Sequence, residues 1–256
     1  MNAQTQSTCG NTPMGGPAAT CKVNPADQVF ASPQERAAMA PVRWKNGSTL
    51  KVGFLNRKDD DFGQLIRRKV QEIAPTWSQF ANIRFEFVEG PTDQITINFS
   101  SDLADPGTYS SQLGVQSADF SGQGKPSMNL VFDQNNAKVD DDEFHRVILH
   151  EFGHALGLIH EHARPDGDLV WDDDAVRKYY IKLTSAQWDW DTIQERVIQL
   201  YNDKIEDKTE FDTRSIMMYR FPEGLATYKD GRPFSSDWNR TLSALDQDFI
   251  ARMYPA

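Results

Sequence analysis

The residues of this 256-residue chain that are best suited to chemistry are three histidines and a glutamate in one short window. Residues 150–160 read HEFGHALGLIH, so His150, His154 and His160 follow the pattern HExxHxxGxxH. Residues four apart lie one turn above each other on an α-helix, and His150 and His154 therefore direct two imidazoles toward a common point. This arrangement supplies two ligands of a tetrahedral metal ion.

Gly157 explains how a third histidine reaches the same point. Because glycine adopts a positive φ without steric cost, Gly157 is able to end the helix and return the chain with His160. Three nitrogen ligands leave one coordination position open, as in a catalytic zinc site. Glu151 is not needed as a ligand. Its position suits a general base that takes a proton from zinc-bound water and passes it to a leaving amine.

An exposed helix that carries histidines by chance is the main alternative. The chain has only five histidines, and three of them occupy this window at the required offsets. Apolar neighbours also predict a buried helix, where imidazoles need a partner such as a metal ion. These neighbours are Val147, Ile148, Leu149, Phe152, Ala155, Leu156, Leu158 and Ile159. His145 lies off the ligand face, and the spacing from Gly157 favours His160 over His162 as third ligand.

The elements that position this window follow from hydrophobic periodicity. Apolar residues alternate over 50–54, 83–87 and 95–99, which predicts three strands with one buried face, and a further strand is predicted over 128–132. A helix is predicted from an apolar stripe with steps of four and three, with Pro75 kinking or ending its first part. The stripe comprises Ile66, Val70, Ile73, Trp77 and Phe80.

Helix starts are predicted from acidic residues and capping pairs. Asp59–Asp61 and Asp140–Glu143 suit the N-termini of the first helix and of the zinc-site helix. Thr184 with Gln187 predicts a helical segment through Tyr201, and Ser243 with Asp246 predicts a last helix over 244–253. We therefore predict an α+β catalytic unit with an N-terminal lobe over 41–160, a helical or irregular lobe over 161–256, and a cleft between them that holds the metal.

Composition limits the classes of partner. The formal net charge is −10, whereas a nucleic-acid-binding protein needs a basic face. No apolar run approaches the roughly 20 residues of a membrane span. The residues after Met1 lack the basic start and apolar centre of a signal peptide, so an exported form requires prior removal of its signal or another route.

Residues 1–40 differ in composition from the rest of the chain. They are rich in Ser, Thr, Gly, Pro, Gln and Ala, show no sustained period and contain both cysteines, which predicts an arm or an inhibitory pro-segment. Cys9 and Cys21 either form a disulfide, which implies an oxidising compartment, or supply one thiolate to the open zinc position and hold the enzyme latent. Their spacing is compatible with both.

A second motif gives the histidine window a family context. Residues 215–219 read SIMMY, and residues 161–166, which continue the window, read EHARPD. Together these residues resemble the astacin family of metzincin endopeptidases, which shows HExxHxxGxxHExxRxD followed by a Met-turn of the form SxMxY. The resemblance extends over residues 41–256, since RWKNG at 43–47 and LSALD at 242–246 are similar to the start and end of that catalytic domain.

The resemblance implies a residue-level active site. His150, His154 and His160 would bind Zn²⁺, with Glu151 as general base. Tyr219 would be a phenol that binds zinc in one position and stabilises the substrate oxyanion in another.

The resemblance also implies the surroundings of that site. Met217 would form its floor, and the fold would be metzincin-like, with a twisted mixed sheet and two long helices in the N-terminal lobe. Residues 109–114, YSSQLG, resemble the edge strand along which an extended peptide or protein substrate binds. The implied location is extracellular.

Three features depart from the family pattern. Met218 stands where the family commonly has a histidine. No cysteine lies beyond Cys21, so the family's two catalytic-domain disulfides are absent. The arm has no FxGD motif, and Asp27 or a cysteine would have to take the place of its zinc-binding aspartate.

Glu161 has two interpretations. The matching glutamate of the family contacts a new N-terminus, which here requires cleavage near Pro41, whereas the local alternative is an ion pair with Arg164. Two alternatives to the function also remain. A serralysin-like or other metzincin protease fits the continuation of the zinc motif less well, and a non-catalytic zinc-binding interaction protein has no use for Glu151.

Overall fold

The computed structural model describes residues 42–56, 59–104, 108–133, 140–164, 168–184, 188–198 and 209–256. The predicted arm with Cys9, Cys21 and Asp27 lies outside the described residues, as do Pro165 and Asp166 of the extended motif. No helix among the described residues is both long and apolar enough to cross a membrane.

A five-stranded sheet forms the centre of the N-terminal lobe. Its strands are β1 (Thr49–Phe54), β2 (Arg84–Val88), β3 (Ile95–Asn98), β4 (Thr108–Ser111) and β5 (Met128–Val131). They lie in the order β2-β1-β3-β5-β4, and only the pairing of β4 with β5 is antiparallel. The predicted strands are therefore present, and the segment that resembles an edge strand lies at an edge of this sheet.

The prediction of a single buried face is wrong for β3. All four residues of β3 are buried, including Thr96 and Asn98. Thr96 donates its hydroxyl hydrogen to the carbonyl of Thr92 over 2.9 Å, and the Asn98 side chain donates to Oδ1 of Asn129 over 2.9 Å. A strand with parallel neighbours on both sides is usually covered on both faces, and these hydrogen bonds satisfy the polar side chains there.

Two long helices pack with the sheet around one apolar core. The helix α1 (Asp61–Ile73) begins at Asp60, whose carboxylate accepts a hydrogen bond from the N–H of Gly63 over 2.8 Å. It continues as a 3-10 turn, Ala74–Gln79, so Pro75 ends the α-helical part as predicted. After the short helix α2 (Gln116–Ser121) comes α3 (Asp141–Ala155), which begins at Asp140 and carries the first two histidines of the motif.

The C-terminal lobe combines helices with a small sheet that was not predicted. Its strands β6 (Leu169–Trp171) and β7 (Ala226–Tyr228) pair antiparallel. Its helices are α4 (Asp173–Leu183) and α5 (Trp190–Ile193), which continues as a π-helical turn Gln194–Ile198. The last helix of the chain, α6 (Ala244–Met253), packs instead into the N-terminal core, to which Ile250 and Met253 belong. A second cluster of buried apolar side chains forms the core of this lobe.

The helix start predicted at Thr184 is wrong. Thr184 instead ends α4, where its hydroxyl donates to the carbonyl of Tyr180 over 2.8 Å. Asp189 begins the next helix by accepting a backbone hydrogen bond over 2.8 Å. A threonine hydroxyl bonds to backbone groups at either end of a helix, so a threonine alone does not show whether a helix starts or ends there. Gln187 and Tyr201 lie outside the described residues.

The segment 216–219 joins the two lobes. Ile216 and Met217 belong to the N-terminal core, Met218 belongs to the C-terminal core, and Tyr219 packs against both. Consecutive side chains of the Met-turn therefore belong to separate apolar clusters. We call residues 216–219 the seam, because the two cores meet at this segment.

Asp246 anchors this seam from the last helix. Its carboxylate accepts hydrogen bonds from the hydroxyl of Ser215 over 2.7 Å, the N–H of Ile216 over 2.8 Å and the N–H of Ser243 over 2.9 Å. The Ser243 hydroxyl accepts the N–H of Asp246 in return, so the predicted capping box and the start of α6 are confirmed. One buried carboxylate thus serves both a helix cap and the Met-turn.

Asp246→Asn is expected to destabilise the protein more than the loss of a helix cap does. The amide has one acceptor oxygen instead of two, so buried donors at Ser215 or Ile216 lose their partner, at a cost of about 1–3 kcal/mol for each. The control Ser243→Ala removes the capping hydroxyl alone, at about 1 kcal/mol. Urea unfolding measures both variants, and a smaller loss for Asp246→Asn than for Ser243→Ala would contradict the anchoring role.

Candidate metal centre

Three imidazoles converge at the C-terminal end of α3. The ligand-capable nitrogens of His150, His154 and His160 lie within 4.8 Å of one another, and all three residues are buried. The Nε2 atoms of His154 and His160 are 3.0 Å apart. Two nitrogens bound tetrahedrally to zinc at 2.0–2.1 Å are about 3.3 Å apart, so these atoms are already close to ligand spacing. Within the described residues, this is the one His, Cys, Asp or Glu group that meets the geometry of a metal site.

Gly157 makes the convergence possible. Its φ is +100°, and its N–H donates to the carbonyl of His154 over 2.7 Å. The helix ends there as predicted, and the chain returns so that His160 faces the two helical histidines. A residue with a Cβ is strained at this φ, which explains the glycine.

Backbone carbonyls fix the orientation of two of the rings. Nδ1 of His150 lies 2.7 Å from the carbonyl oxygen of Ile216, and Nδ1 of His154 lies 2.8 Å from that of Leu158. A carbonyl only accepts, so each Nδ1 carries the proton and each Nε2 presents a lone pair to the common point. Nε2 of His150 is buried and has no hydrogen-bond partner among the described residues. The donor set therefore fits zinc, which would supply the missing partner.

Burial keeps these rings neutral. Desolvation lowers the pKa of His154 to about 4 and lowers the pKa of His150 and of His160 well below the usual value, with a further lowering of the latter two from neighbouring histidines. A neutral imidazole is the form that binds a metal ion. The site is therefore prepared for metal at pH values at which an exposed histidine is partly protonated.

Two further motif residues are buried in the segments that carry the histidines and the Met-turn. Glu151 follows the first histidine on α3 and is fully buried. The side chain of Met217 lies below the helix at Gly153, where a Cβ would come within 2.5 Å of its Sδ. Glycine at position 153 thus lets the Met-turn approach the helix between the first two histidines.

Tyr219 and His162 form an aromatic layer beside the third histidine. The ring centroid of Tyr219 lies 4.3 Å from that of His160 and 4.7 Å from that of His162. His162 is buried, but its nitrogens are not part of the three-histidine group. The structure therefore agrees with the choice of His160 over His162. His145 is half-buried and also lies outside the group.

Glu161 forms the local ion pair. Its Oε1 accepts hydrogen bonds from Nη1 of Arg164 over 2.8 Å and from the N–H of Asp212 over 2.9 Å. Burial raises the pKa of Glu161, and the bonds from Arg164 and Asp212 oppose that shift. Of the two interpretations of Glu161, the ion pair with Arg164 is the one observed among the described residues.

Two residues near the site were missed in the sequence. Asp246 was noted only as a helix cap, because nothing in its spacing indicates contact with residues 215 and 216. Arg146 lies in a cavity wall beside His150. Its position four residues before His150 places it on the ligand-bearing face of the helix, and this signal was available in the sequence.

The chain is similar to one protein family and to several solved structures. The family model described as Matrixin matches residues 43–170. A structure of myroilysin has 35% sequence identity and a TM-score of 0.70, and the match covers 84% of this chain and 96% of that chain. A crystal structure of myroilysin has 31% identity and a TM-score of 0.57, and covers 94% of this chain and 100% of that one.

A more distant likeness supports the fold alone. High choriolytic enzyme 1, a hatching enzyme zinc-protease from the medaka fish Oryzias latipes, has 17% identity and a TM-score of 0.53, with coverage of 83% of this chain and 94% of that chain. No curated protein sequence matches the chain.

The zinc-free protein is expected to lose stability as the pH falls from about 7 to about 5.5. The unfolded histidines take up protons near pH 6.5, while the folded ones do so at lower pH, so the unfolded state binds more protons in this window. The free energy of unfolding therefore decreases by up to about 1.4 kcal/mol per pH unit for each histidine.

Chelator-treated protein unfolded in urea at several pH values tests this expectation. Burial raises the pKa of Glu161 and of Asp246, and these groups act with the opposite sign. The pH dependence of the free energy of unfolding is therefore compared between the wild type and His154→Gln. The variant should show the shallower dependence, because it lacks one buried histidine. Equal slopes for the two proteins would show that His154 is not held neutral by the fold.

Proposed function

The chain belongs to the matrixin family of metzincin zinc proteases and is a zinc-dependent endopeptidase, and we propose that His150, His154 and His160 hold its zinc ion while Glu151 acts as general base. The observation that carries this assignment is the convergence of three buried imidazoles, two of which have their Nδ1 hydrogens committed to backbone carbonyls. The arrangement leaves Nε2 atoms as metal ligands.

The residues of the site have separate roles in peptide hydrolysis. His150, His154 and His160 would hold the zinc ion, which would supply a Lewis acid for the scissile carbonyl and would lower the pKa of a bound water to about 7. Glu151 follows the first ligand on α3, so its carboxylate takes the proton of the attacking water and delivers it to the nitrogen of the leaving amine. The carbonyls of Ile216 and Leu158 keep two ligand rings in place throughout.

Tyr219 is proposed to stabilise the oxyanion and to bind zinc when no substrate is present. Its ring packs on His160, with 4.3 Å between centroids, at the seam between the two cores. A phenol O–H placed beside the scissile carbonyl donates a hydrogen bond to the negative charge that develops there. Met217 supports the site from below through its contact with Gly153.

The substrate is proposed to bind in an extended conformation along β4. This strand pairs with β5 on one side and forms an edge of the five-stranded sheet on the other. An edge strand has backbone donors and acceptors that an added peptide strand can pair with, independently of its sequence.

The grouping with astacin-like proteases, the extracellular location and the domain division are also proposals. The continuation of the zinc motif and the SIMMY turn support the first of these. Residues 41–256 would form the catalytic domain, and residues 1–40 would form an N-terminal arm or a removable pro-segment.

Glu151→Gln is expected to lower kcat/KM for an unfolded protein substrate by about 10²–10⁴, because the amide cannot accept the proton. Zinc content, measured by inductively coupled plasma mass spectrometry, should stay at the wild-type level, since Glu151 is not a ligand. The matched control Glu86→Gln changes an exposed glutamate of β2 and should leave both quantities unchanged.

Retention of both zinc and full activity in Glu151→Gln would refute the assignment of the base. The N-terminus of each sample should be read by protein mass spectrometry. If wild-type activity appears only after residues 1–40 are lost, these residues are a pro-segment, whereas equal activity with the arm intact contradicts that role.

Tyr219→Phe is expected to lower kcat by about 10²-fold with little change in KM or zinc content, because it removes one oxyanion donor and keeps the aromatic packing. Tyr228→Phe is the matched control, since Tyr228 lies on β7 and packs on Phe234. An unchanged kcat in Tyr219→Phe would remove the phenol from the mechanism.

A further inference from the structure

A row of polar side chains crosses the five-stranded sheet and has no role in the chemistry proposed above. Ser110 of β4 lies directly opposite Asn129 of β5, and Asn129 lies directly opposite Asn98 of β3. Residues directly opposite on neighbouring strands point to the same face of a sheet. Asn56, which follows β1, bonds to Asn98 from the other side. We call Asn56, Asn98, Asn129 and Ser110 the polar row.

Hydrogen bonds join the members of the polar row in one direction. Nδ2 of Asn56 donates to Oδ1 of Asn98 over 2.6 Å, and Nδ2 of Asn98 donates to Oδ1 of Asn129 over 2.9 Å. Nδ2 of Asn129 then donates to Oγ of Ser110 over 3.0 Å. Each donor faces the edge strand β4. Hydrogen bonds aligned in a chain polarise one another, so the last bond is stronger than an isolated one.

Backbone groups fix the direction of the polar row. Oδ1 of Asn56 accepts the N–H of Phe99 over 2.9 Å, and Oδ1 of Asn98 accepts the N–H of Ser100 over 2.9 Å. Nδ2 of Asn98 also donates to the carbonyl of Ser100 over 3.2 Å. A backbone N–H only donates and a carbonyl only accepts, so neither amide can turn over without losing these bonds. The next amide of the row therefore receives an N–H and presents its own N–H to the edge strand.

Ser110 is the outer member of the polar row. Its hydroxyl oxygen accepts from Asn129, and the hydroxyl makes no other hydrogen bond among the described residues. A serine hydroxyl has one hydrogen, which is left to donate when the oxygen accepts. Ser110 is half-buried, and β4 pairs with another strand on one side only. An oriented donor thus lies at the open edge of the sheet, where the substrate is proposed to bind.

Asparagine is the side chain that continues the polar row. A peptide paired with β4 places one residue opposite Ser110, with its side chain on the same face and its Cβ about 5 Å from that of Ser110. The amide oxygen of an asparagine at this point accepts the hydroxyl hydrogen. A leucine has nearly the same shape but no acceptor, so it removes water from the hydroxyl without replacing the hydrogen bond.

We propose that Ser110 determines specificity at this position of the substrate, and that the polar row orients its hydroxyl to donate to an asparagine side chain. The proposal rests on the proposed function, since it requires a substrate that pairs with β4. It names the substrate class as peptides with asparagine opposite Ser110.

The test compares two series of peptides in which asparagine or leucine occupies each position around one cleavable bond in turn. The zinc-loaded protein cleaves them, and mass spectrometry identifies the bond. At one position, the ratio of kcat/KM for asparagine over leucine should be about fivefold lower in Ser110→Ala than in the wild type, because one hydrogen bond is lost. At the two adjacent positions the ratio should not change, since those side chains point to the opposite face.

Two further variants separate the polar row from general damage to the fold. Asn129→Leu keeps the size of the side chain but releases the Ser110 hydroxyl, so the ratio should fall roughly twofold or more at the same position. Ser121→Ala is the matched control, since Ser121 is a buried serine of α2 whose hydroxyl donates to Oγ of Ser127 over 3.1 Å. Its ratio should equal that of the wild type. Both peptides are measured on one sample, so the ratio does not depend on the fraction of protein that is folded.

The outcomes distinguish this inference from the proposed function. An unchanged ratio in Ser110→Ala or in Asn129→Leu overturns the inference, and so does an equal change in Ser121→Ala or at the adjacent positions. The protease assignment stands in each of these cases, because the wild type cleaves. A zinc-loaded wild type that cleaves no peptide overturns the proposed function and this inference with it. If Asn129→Leu does not fold, the comparison of Ser110→Ala with Ser121→Ala decides.

Discussion

The burial of three neutral imidazoles with a common direction is the constraint on which the rest of the structure depends. Buried polar groups are costly without partners, so each ring must have its Nδ1 or Nε2 satisfied by the protein or by a metal. The carbonyls of Ile216 and Leu158 satisfy two Nδ1 atoms, and Nε2 of His150 has no partner among the described residues. The turn at Gly157 then brings the third ring to the same point.

Ile216 links the last helix of the chain to the metal centre through two hydrogen bonds. Its carbonyl orients His150, while its N–H is bound by the buried carboxylate of Asp246. A zinc ligand is thus connected through one residue to the first turn of the last helix. The same segment places Met217 in one core and Met218 in the other, so the residues that orient His150 also join the two apolar cores.

The sequence predicted the elements whose signals are local. Histidine spacing, Gly157 and the capping box at Ser243 each act within a few residues, and the structure has all three features where they were predicted. The second buried face of β3 depends on elements distant in the sequence, and so does the contact of Asp246 with the Met-turn. The prediction of a helix start at Thr184 is wrong because a threonine hydroxyl can bond to backbone groups at either end of a helix. Arg146 precedes His150 by four residues on α3, so its place on the ligand-bearing face follows from local spacing alone.

Anomalous diffraction at the zinc absorption edge from crystals of the zinc-loaded protein tests the central claim most directly. The account predicts one strong peak at about 2.0–2.1 Å from Nε2 of His150, His154 and His160. The absence of zinc from this point, or a zinc ion bound by His162 in place of His160, would contradict it.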